Sequence, residues 1–297
     1  MTAAGRAASV RRRVRLARGP VTIGEPAAFV EPRLGAAELY RPDTIADGGT
    51  AFGLTVRAAS VRGLSKRYAG GPRQDDICLR LHADSSTLIA AVADGVSGAP
   101  RSELGAALAV RYATAAVARQ LDDGRESIDW GPVFGQAAWA LVEEQRRASG
   151  DASVGVDEAA GSLATTLLVA TVRDGDVQVA AVGDSPAFVL AGKEYDALVG
   201  WPTGGDDLIG GGVESLPRFS GSVEASRRSL DPGSVLLLCT DGLALPLAGG
   251  AGEVGVALAR ELTRPPDVVD FARLLDFSRA TYDDDRSLIA VWRKASS

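Results

Sequence analysis

Runs of apolar residues bounded by turn signals dominate the chain from about residue 54 onward and predict short, buried strands. An Asp174-Gly175 pair between two of these runs has the composition of a hairpin turn. The predicted strands cover residues 87–93, 163–172, 177–182, 187–190, 235–239 and 287–292. Each is far shorter than the roughly 20 apolar residues needed to cross a bilayer, so we expect no transmembrane segment.

Apolar residues at helical spacing occupy other parts of the chain. Leu104, Leu108, Val117 and Leu121 repeat on one face of a helix predicted to begin near Ser102. The predicted helices cover residues 102–121, 130–147, 254–262 and 268–277. The predicted strands come in pairs joined by tight turns, and the predicted helices follow one another in pairs. This pattern favours antiparallel sheets covered by helices over a doubly wound parallel fold.

The amino-terminal part of the chain differs from the rest. Residues 1–52 contain scattered prolines without clear periodicity, and the first twenty include six arginines and no acidic residue. We interpret residues 1–52 as a basic, partly disordered extension and residues 53–297 as one domain. Most of the chain is acidic, with a net charge of -6 over the whole sequence, so no nucleic-acid partner is expected.

Composition narrows the possible chemistry. The chain has 297 residues, 46% of them hydrophobic, but only one histidine and two cysteines. A cysteine phosphatase needs an arginine six residues after its nucleophile, which neither Cys78 nor Cys239 has. A serine hydrolase needs a histidine after its acid, but His82 lies far upstream of Ser185, the serine of the one turn that resembles a nucleophile turn. We expect both cysteines to be reduced and the protein to be cytoplasmic. Carboxylates remain as the main candidates for catalysis.

Aspartates recur where predicted strands meet turns. The five positions are Asp75, Asp94, Asp184, Asp241 and Asp284. Ionised carboxylates that share one site repel each other unless a positive charge lies between them. Mg2+ and Mn2+ prefer oxygen ligands, and a pair of such ions can activate water and stabilise a phosphoryl group without histidine. Asp-Gly after a strand is also ordinary turn chemistry, so each aspartate alone is weak evidence.

Six segments, in order along the chain, resemble motifs of the metal-dependent protein phosphatases, the type 2C Ser/Thr phosphatase family. They are RQDD at 73–76, VADGVSG at 92–98, GSLATTLL at 161–168, VGDSPAFVL at 182–190, LLLCTDGL at 236–243 and DDRSLIAVW at 284–292. The resemblance implies an α+β fold, namely a four-layer α-β-β-α sandwich of two antiparallel sheets flanked by helices. It also implies a binuclear Mg2+ or Mn2+ site at one end of the sandwich.

The resemblance assigns roles to individual residues. Asp94 matches the aspartate that bridges both ions, the Gly95 carbonyl matches the ligand beside it, and Asp241 and Asp284 match the remaining carboxylates. Asp75 is similar to the acid that orients metal-bound water. Asp184 is similar to the aspartate that, with the equivalent of Asp241, holds a weaker third ion in bacterial-type members. Asp75, Asp94 and Asp241 are therefore the catalytic candidates.

The chain also departs from the family pattern. Gln74 stands where many members have glutamate, Val96 where animal members have histidine, and Pro186 where arginine is usual. Family members have an arginine that binds the substrate phosphate a few residues before the first motif. The corresponding place in this chain falls near Gly70, where no arginine stands. Lys66, Arg67 or Arg73 could supply that positive charge, and an arginine would bind phosphate in a bidentate manner.

The implied activity is that of a protein-serine/threonine phosphatase, in which metal-activated water attacks phosphorus directly. The implied partners are phosphoserine and phosphothreonine proteins and a cognate Ser/Thr kinase system, and we expect a monomer. Residues 192–229 occupy the place of the family's variable flap. The alternative is a pseudophosphatase that binds a phosphoprotein without turnover, which Gln74, Pro186 and the missing arginine favour and the intact aspartates oppose.

Overall fold

The computed structural model describes residues 21–28, 30–33, 41–201 and 214–294. The arginine-rich arm at residues 1–20 lies outside the described residues, as does the central part, residues 202–213, of the segment expected to form a flap.

The strands of the described residues alternate with helices along the chain, and six of the thirteen strands and four of the seven α-helices lie where the sequence predicts them. The strands are β1 (Val21–Thr22), β2 (Thr44–Ala51), β3 (Leu54–Val61), β4 (Asp76–His82), β5 (Thr87–Ala93), β6 (Leu167–Arg173), β7 (Asp176–Val182), β8 (Ala187–Ala191), β9 (Glu194–Val199), β10 (Glu224–Ser229), β11 (Ser234–Cys239), β12 (Phe277–Ser278) and β13 (Arg286–Arg293). The helices are α1 (Leu64–Ala69), α2 (Ser102–Asp122), α3 (Trp130–Ser149), α4 (Val156–Leu163), α5 (Asp241–Leu247), α6 (Glu253–Glu261) and α7 (Val268–Leu275).

Two antiparallel sheets form the centre of the molecule. One has the strand order β10-β7-β6-β5-β4 and the other the order β2-β3-β13-β11-β8-β9. β1 and β12 form a separate, short parallel pair. The antiparallel prediction is confirmed by the register of every pair within the two large sheets.

Three apolar clusters hold four layers together. Side chains between the sheets, such as Val92 and Leu236, form one cluster. A second cluster packs α2 and α3 on the five-stranded sheet around Phe134, and a third packs α5, α6 and α7 on the six-stranded sheet around Phe271. Since each sheet buries one face against the other sheet and the other face against helices, the architecture is the expected α-β-β-α sandwich.

The structure corrects the predicted strand at residues 163–172. Only residues from Leu167 onward are in β6, because Ala159, Ala160 and Leu163 bury one face of α4 at helical spacing. The following residues, Thr165 and Thr166, instead hydrogen-bond the loop at Asp94. The apolar run was continuous in the sequence and so did not show where the helix ends.

The extension predicted for residues 1–52 contributes to the sandwich. β2 pairs with β3 along its whole length, from Thr44 opposite Val61 to Ala51 opposite Leu54. β2 is an edge strand with mostly exposed side chains, and this polar, glycine-containing composition hid it in the sequence. The paired part of the chain therefore starts before residue 53.

Two further expectations concern the membrane and the cysteines. Within the described ranges, no single helix has the length and apolar character to cross a membrane, although one pair, Asp241–Gly250 and Glu253–Glu261, passes that test when joined across a bend of 89°. Cys78 and Cys239 are both free thiols, as expected.

Candidate metal centre

The strand pairings bring the predicted aspartates to one end of the sandwich. Asp76 pairs with Ala93, so Asp75 and Asp94 flank the same end of the five-stranded sheet. In the six-stranded sheet Cys239 pairs with Leu288, which places Asp241 and Asp284 just beyond the matching end. Loops from both sheets therefore carry acidic residues to the same end of the sandwich.

Asp94 and Asp241, one from each sheet, are in side-chain contact. The side chain of Asp94 contacts that of Asp241, and burial together with the charges of Asp75, Asp241 and Asp284 holds the pKa of Asp94 well above its usual range. The ionised form of Asp94 is thus disfavoured by its surroundings, and a nearby cation would restore it.

The loop at Asp94 is held rigidly by the segment before β6. The Asp94 N–H donates to Thr166 Oγ1 at 3.1 Å, and the Asp94 carbonyl accepts from Thr165 Oγ1 and from the Thr166 N–H, both at 2.8 Å. Gly95 follows in close contact with other backbone, because a Cβ there would lie 2.8 Å from the Ser102 carbonyl. Only glycine allows the chain to pass at this position.

Asp75 is buried at the junction of the two sheets and is fixed by hydroxyl groups. Its Oδ2 accepts hydrogen bonds from Thr240 Oγ1 and Ser287 Oγ, both at 2.7 Å. Burial and, next, the charge of Asp285 raise the pKa of Asp75 to about 8, against the lowering effect of the two hydroxyl bonds. The carboxylate is held in one orientation, as the role implied by the resemblance requires.

Asp285 was not among the predicted site residues. It is 2% exposed, and it accepts the Gly63 N–H at 2.7 Å and the Gln74 N–H at 2.5 Å. Burial raises the pKa of Asp285 against these two backbone bonds. Asp285 thereby ties the start of β13 to the segments that carry Lys66 and Asp75. The signal in the sequence was the run of three aspartates at 283–285.

Asp184 lies beside the same group, at the edge toward β10. Burial, with the charge of Asp241 next, raises the pKa of Asp184. Gly183 precedes it at φ +101, and a Cβ there would lie 2.7 Å from the Thr166 Cβ. Asp184 also lines a cleft of about 340 Å³ together with Glu214 and Glu224.

The donor set fits a hard divalent cation. Within the ranges that the structure describes, no three carboxylate, imidazole or thiol groups converge on one point at metal-ligand distance. The carboxylates are nevertheless crowded and partly or fully buried, with Asp75, Asp94 and Asp184 all disfavoured in the charged form. Since buried like charges are stabilised by a positive ion between them, and these ligands are all oxygens, the group suits Mg2+ or Mn2+.

The three cations proposed for the phosphate differ sharply in their surroundings. Arg73 is 1% exposed and donates to Ser60 Oγ and to the Asp75 carbonyl. Arg67 is held by Asp43 at 2.6 Å and Asp276 at 2.8 Å. All three guanidinium nitrogens of Arg67 are engaged within the protein, and Arg73 is almost fully buried, so neither arginine is presented to solvent as a free phosphate-binding group.

Lys66 is the cation at the mouth of the site. Its Nζ donates to Ser97 Oγ at 3.2 Å, an exposed contact with the loop that follows Asp94. Its charge also acts on the buried carboxyl of Asp285. Of the three candidates, Lys66 alone combines an exposed ammonium group with proximity to the acidic loops.

His82 lies away from these residues, in agreement with its exclusion as a catalytic base. It is the last residue of β4, whereas Asp76 is the first. Its two ring nitrogens contact Ser85 Oγ at 2.8 Å and Asp122 Oδ1 at 2.9 Å. These contacts connect the β4–β5 turn with the end of α2.

Solved structures share this fold at low sequence identity. The serine/threonine phosphatase of S. agalactiae superposes with a TM-score of 0.55 at 15% identity, covering 81% of this chain and all of that one. PppA of Pseudomonas aeruginosa superposes with a TM-score of 0.54 at 17% identity, and the match covers 82% of this chain and 98% of that one. The PP2C phosphatase domain of SpoIIE from Bacillus subtilis superposes with a TM-score of 0.53 at 13% identity, and the match covers 86% of this chain and 71% of that one.

At the level of sequence, a search of curated proteins finds no significant match. The family model for protein phosphatase 2C, in contrast, matches residues 62–285, which include Asp75, Asp94, Asp184 and Asp241 and also reach Asp284. This range is most of the chain and extends from the end of β3 to the start of β13. The chain therefore belongs to the protein phosphatase 2C family, whose members are serine/threonine phosphatases.

Proposed function

We propose that this chain hydrolyses phosphoserine and phosphothreonine monoesters in proteins, using a binuclear Mg2+ or Mn2+ centre. The observation that carries the proposal is the meeting of Asp94, from the five-stranded sheet, with Asp241 and Asp284, from the six-stranded sheet, at one buried end of the sandwich. Family membership supports the class of reaction, and the carboxylate chemistry supports the class of metal.

Each proposed ligand has a defined place in the fold. Asp94, the Gly95 carbonyl, Asp241 and Asp284 would hold the two ions, and Asp184 is the candidate for a weaker third ion. When bound, the ions supply a water of lowered pKa and neutralise charge on the phosphoryl oxygens. Asp75, fixed by Thr240 and Ser287, would accept a hydrogen bond and orient the attacking water.

Other residues of the chain would bind and position the substrate. The Lys66 ammonium would donate a hydrogen bond to the phosphate from the rim of the site, where it now donates one to Ser97 Oγ. A lysine acts as a point charge and cannot form the two parallel bonds of an arginine, so we expect weaker phosphate binding than a bidentate arginine would give. The cleft beside Asp184, lined also by Glu214 and Glu224, would favour substrates with basic residues near the phosphate.

The test is turnover of a phosphothreonine peptide and of an aryl phosphate by the purified full chain. We expect hydrolysis that depends on Mn2+ or Mg2+ and is lost on chelation and in Asp241→Asn, because that variant removes one carboxylate from the crowded pair. A chain that binds Mn2+ in calorimetry yet shows no turnover at any metal concentration would instead be the pseudophosphatase.

Lys66→Ala is expected to raise KM for a phosphothreonine peptide about tenfold or more, the cost of one charged contact to phosphate, with a smaller fall in kcat. The matched control is Lys193→Ala, at the exposed β8–β9 turn on the far end of the six-stranded sheet, which should leave KM unchanged. Steady-state kinetics at saturating Mn2+ measure both. An unchanged KM in Lys66→Ala would exclude this residue as the phosphate contact.

The remaining expectations stay predictions. They are the kinase partner, the monomeric state and the cytoplasmic location.

A further inference from the structure

A network of buried polar side chains connects Arg73 with the carboxylate of Asp75. Arg73 Nη1 donates to Ser60 Oγ at 2.7 Å. Ser60, on β3, pairs with Ser287 of β13, and the two hydroxyl oxygens lie 2.7 Å apart. Ser287 Oγ in turn lies 2.7 Å from Asp75 Oδ2. We call these four residues the buried network, since none of them is more than 1% exposed.

The buried network has a single order of donors when Asp75 is ionised. A guanidinium can only donate, a carboxylate can only accept, and each serine hydroxyl carries one hydrogen. The hydrogen of Ser287 therefore goes to Asp75, and the hydrogen of Ser60 goes to Ser287. Ser60 accepts from Arg73 at the other end. Because each hydroxyl both donates and accepts, loss of one hydroxyl breaks the connection between the guanidinium and the carboxylate.

Arg73 also holds the main chain of Asp75. The nitrogen that contacts Ser60, Arg73 Nη1, donates to the Asp75 carbonyl at 2.6 Å. One guanidinium group thus fixes the backbone of Asp75 directly and its carboxylate through two serines. Neither serine is a neighbour of Asp75 in the chain, so this arrangement depends on the pairing of β3 with β13.

The hydroxyl bonds leave one oxygen of Asp75 for the reaction. Thr240 Oγ1 donates to Asp75 Oδ2 at 2.7 Å, so both hydroxyl bonds fall on the same carboxylate oxygen. Within the part of the chain that the structure describes, no hydrogen bond is made to Asp75 Oδ1. With Oδ2 held from two sides and the carbonyl held by Arg73, the carboxylate cannot turn freely and Oδ1 keeps one direction.

We propose that Arg73 and Ser60 are positioning residues of the phosphatase reaction, acting through Ser287 to aim Asp75 Oδ1 at the attacking water. This inference rests on the proposed function, in which Asp75 orients that water. It gives Arg73 a part in the turnover step and none in phosphate binding. The hydrogen-bond partners of groups that orient an active site are worth about 10–100-fold in activity when they are removed.

Ser60→Ala is expected to lower kcat for a phosphothreonine peptide about tenfold. KM and the calorimetric Mn2+ affinity should stay unchanged, because this hydroxyl contacts neither the proposed phosphate contact nor a proposed metal ligand. The matched control is Ser234→Ala, which removes another buried serine hydroxyl at the opposite end of the six-stranded sheet, where β11 begins. That control should keep the kcat of the wild type.

Arg73→Met separates positioning from phosphate binding. The variant keeps an unbranched apolar side chain but removes every donor, so both the Ser60 contact and the Asp75 carbonyl contact are lost. We expect a fall in kcat at least as large as that of Ser60→Ala, with KM unchanged. If Arg73 bound the phosphate, KM would rise instead, which is the pattern expected for Lys66→Ala.

A double-mutant cycle with Asp75→Ala shows whether Ser60 acts through Asp75. In the Asp75→Ala background, Ser60→Ala is expected to change the residual kcat less than about twofold, since the buried network then lacks its carboxylate. A merely structural role would lower kcat by the same factor in both backgrounds. Urea unfolding of the same four proteins without metal gives a second readout, in which the midpoint shift caused by Ser60→Ala should be smaller in the Asp75→Ala background.

The outcomes separate this proposal from the proposed function. An active wild type with unchanged kcat in Ser60→Ala, a raised KM in Arg73→Met, or equal effects of Ser60→Ala in the two backgrounds would each overturn the positioning role and leave the phosphatase activity in place. A wild type without turnover would overturn both. Ser60→Cys, which keeps the shape of serine with a weaker donor, replaces Ser60→Ala if that variant does not fold, and should also lower kcat.

Discussion

Asp94→Asn is expected to lower metal-dependent phosphatase activity on the order of 10³-fold, the scale of losing a central electrostatic group of an active site. The same change should stabilise the metal-free protein at neutral pH. The folded-state pKa of Asp94 is raised, so its carboxyl destabilises the fold at every pH above the unfolded-state pKa, and asparagine removes that cost. Phosphatase assays and urea unfolding with and without Mn2+ measure both effects.

The test is specific because Asp94→Asn is expected to lower the activity and to raise the stability of the metal-free protein. Mn2+ should raise the unfolding midpoint of the wild type, since it binds only the folded state, and should raise that of Asp94→Asn much less. Asp84→Asn, in the exposed turn at the far end of β4, is the matched control and should behave like the wild type in both assays. If Asp94→Asn kept full activity, or were destabilised without metal to the same extent as with it, Asp94 would not be a central ligand.

Gly242→Ala is expected to reduce activity about 10²-fold and to destabilise the fold by about 1–3 kcal/mol. A Cβ at Gly242 would overlap the carbonyl oxygen of Asp285 and lie 3.3 Å from the Asp284 Cβ. The methyl group would therefore push the start of α5, which carries Asp241, away from the loop that carries Asp284. Because both proposed ligands would move relative to each other, Mn2+ affinity should fall together with kcat.

The control for this substitution is Gly135→Ala, within α3, where a Cβ meets nothing within 4 Å. That change should leave activity intact and stabilise the protein by about 0.5–1 kcal/mol, since alanine loses less backbone entropy in a helix than glycine. Urea unfolding and calorimetric Mn2+ titration of the two variants check the pair. Wild-type Mn2+ affinity in Gly242→Ala would mean that the α5 contact does not set the ligand positions.

Much of the fold was predictable because its signals are local. The apolar runs at β5 and β11 are buried on both faces and end at Asp-containing turns, so they were visible as strands without tertiary information. The edge strand β2 was not visible in the sequence, because a strand with mostly exposed side chains carries no apolar pattern of its own. The boundary between α4 and β6 was also hidden, since both elements are apolar and directly adjacent in the chain.

For the site, the sequence identified the aspartates but not their partners. Asp94, Asp184 and Asp241 follow strands and Asp75 and Asp284 precede them, and strand order alone brings them to one end. The roles of Lys66, Arg67 and Arg73 could not be separated from the sequence, because three nearby cations differ only in what they contact in space. Only the structure shows that Arg67 is paired with Asp43 and Asp276, which lie far from it in the chain.

By itself, then, the sequence determined the central buried strands, the longer helices and five of the acidic residues at the site, all of which depend on the periodicity and type of neighbouring residues. The tertiary structure alone decided which charges are paired and that Asp285 joins three segments. The physical reason is that burial and electrostatic pairing depend on distances between residues remote in sequence, which no local pattern of residues encodes.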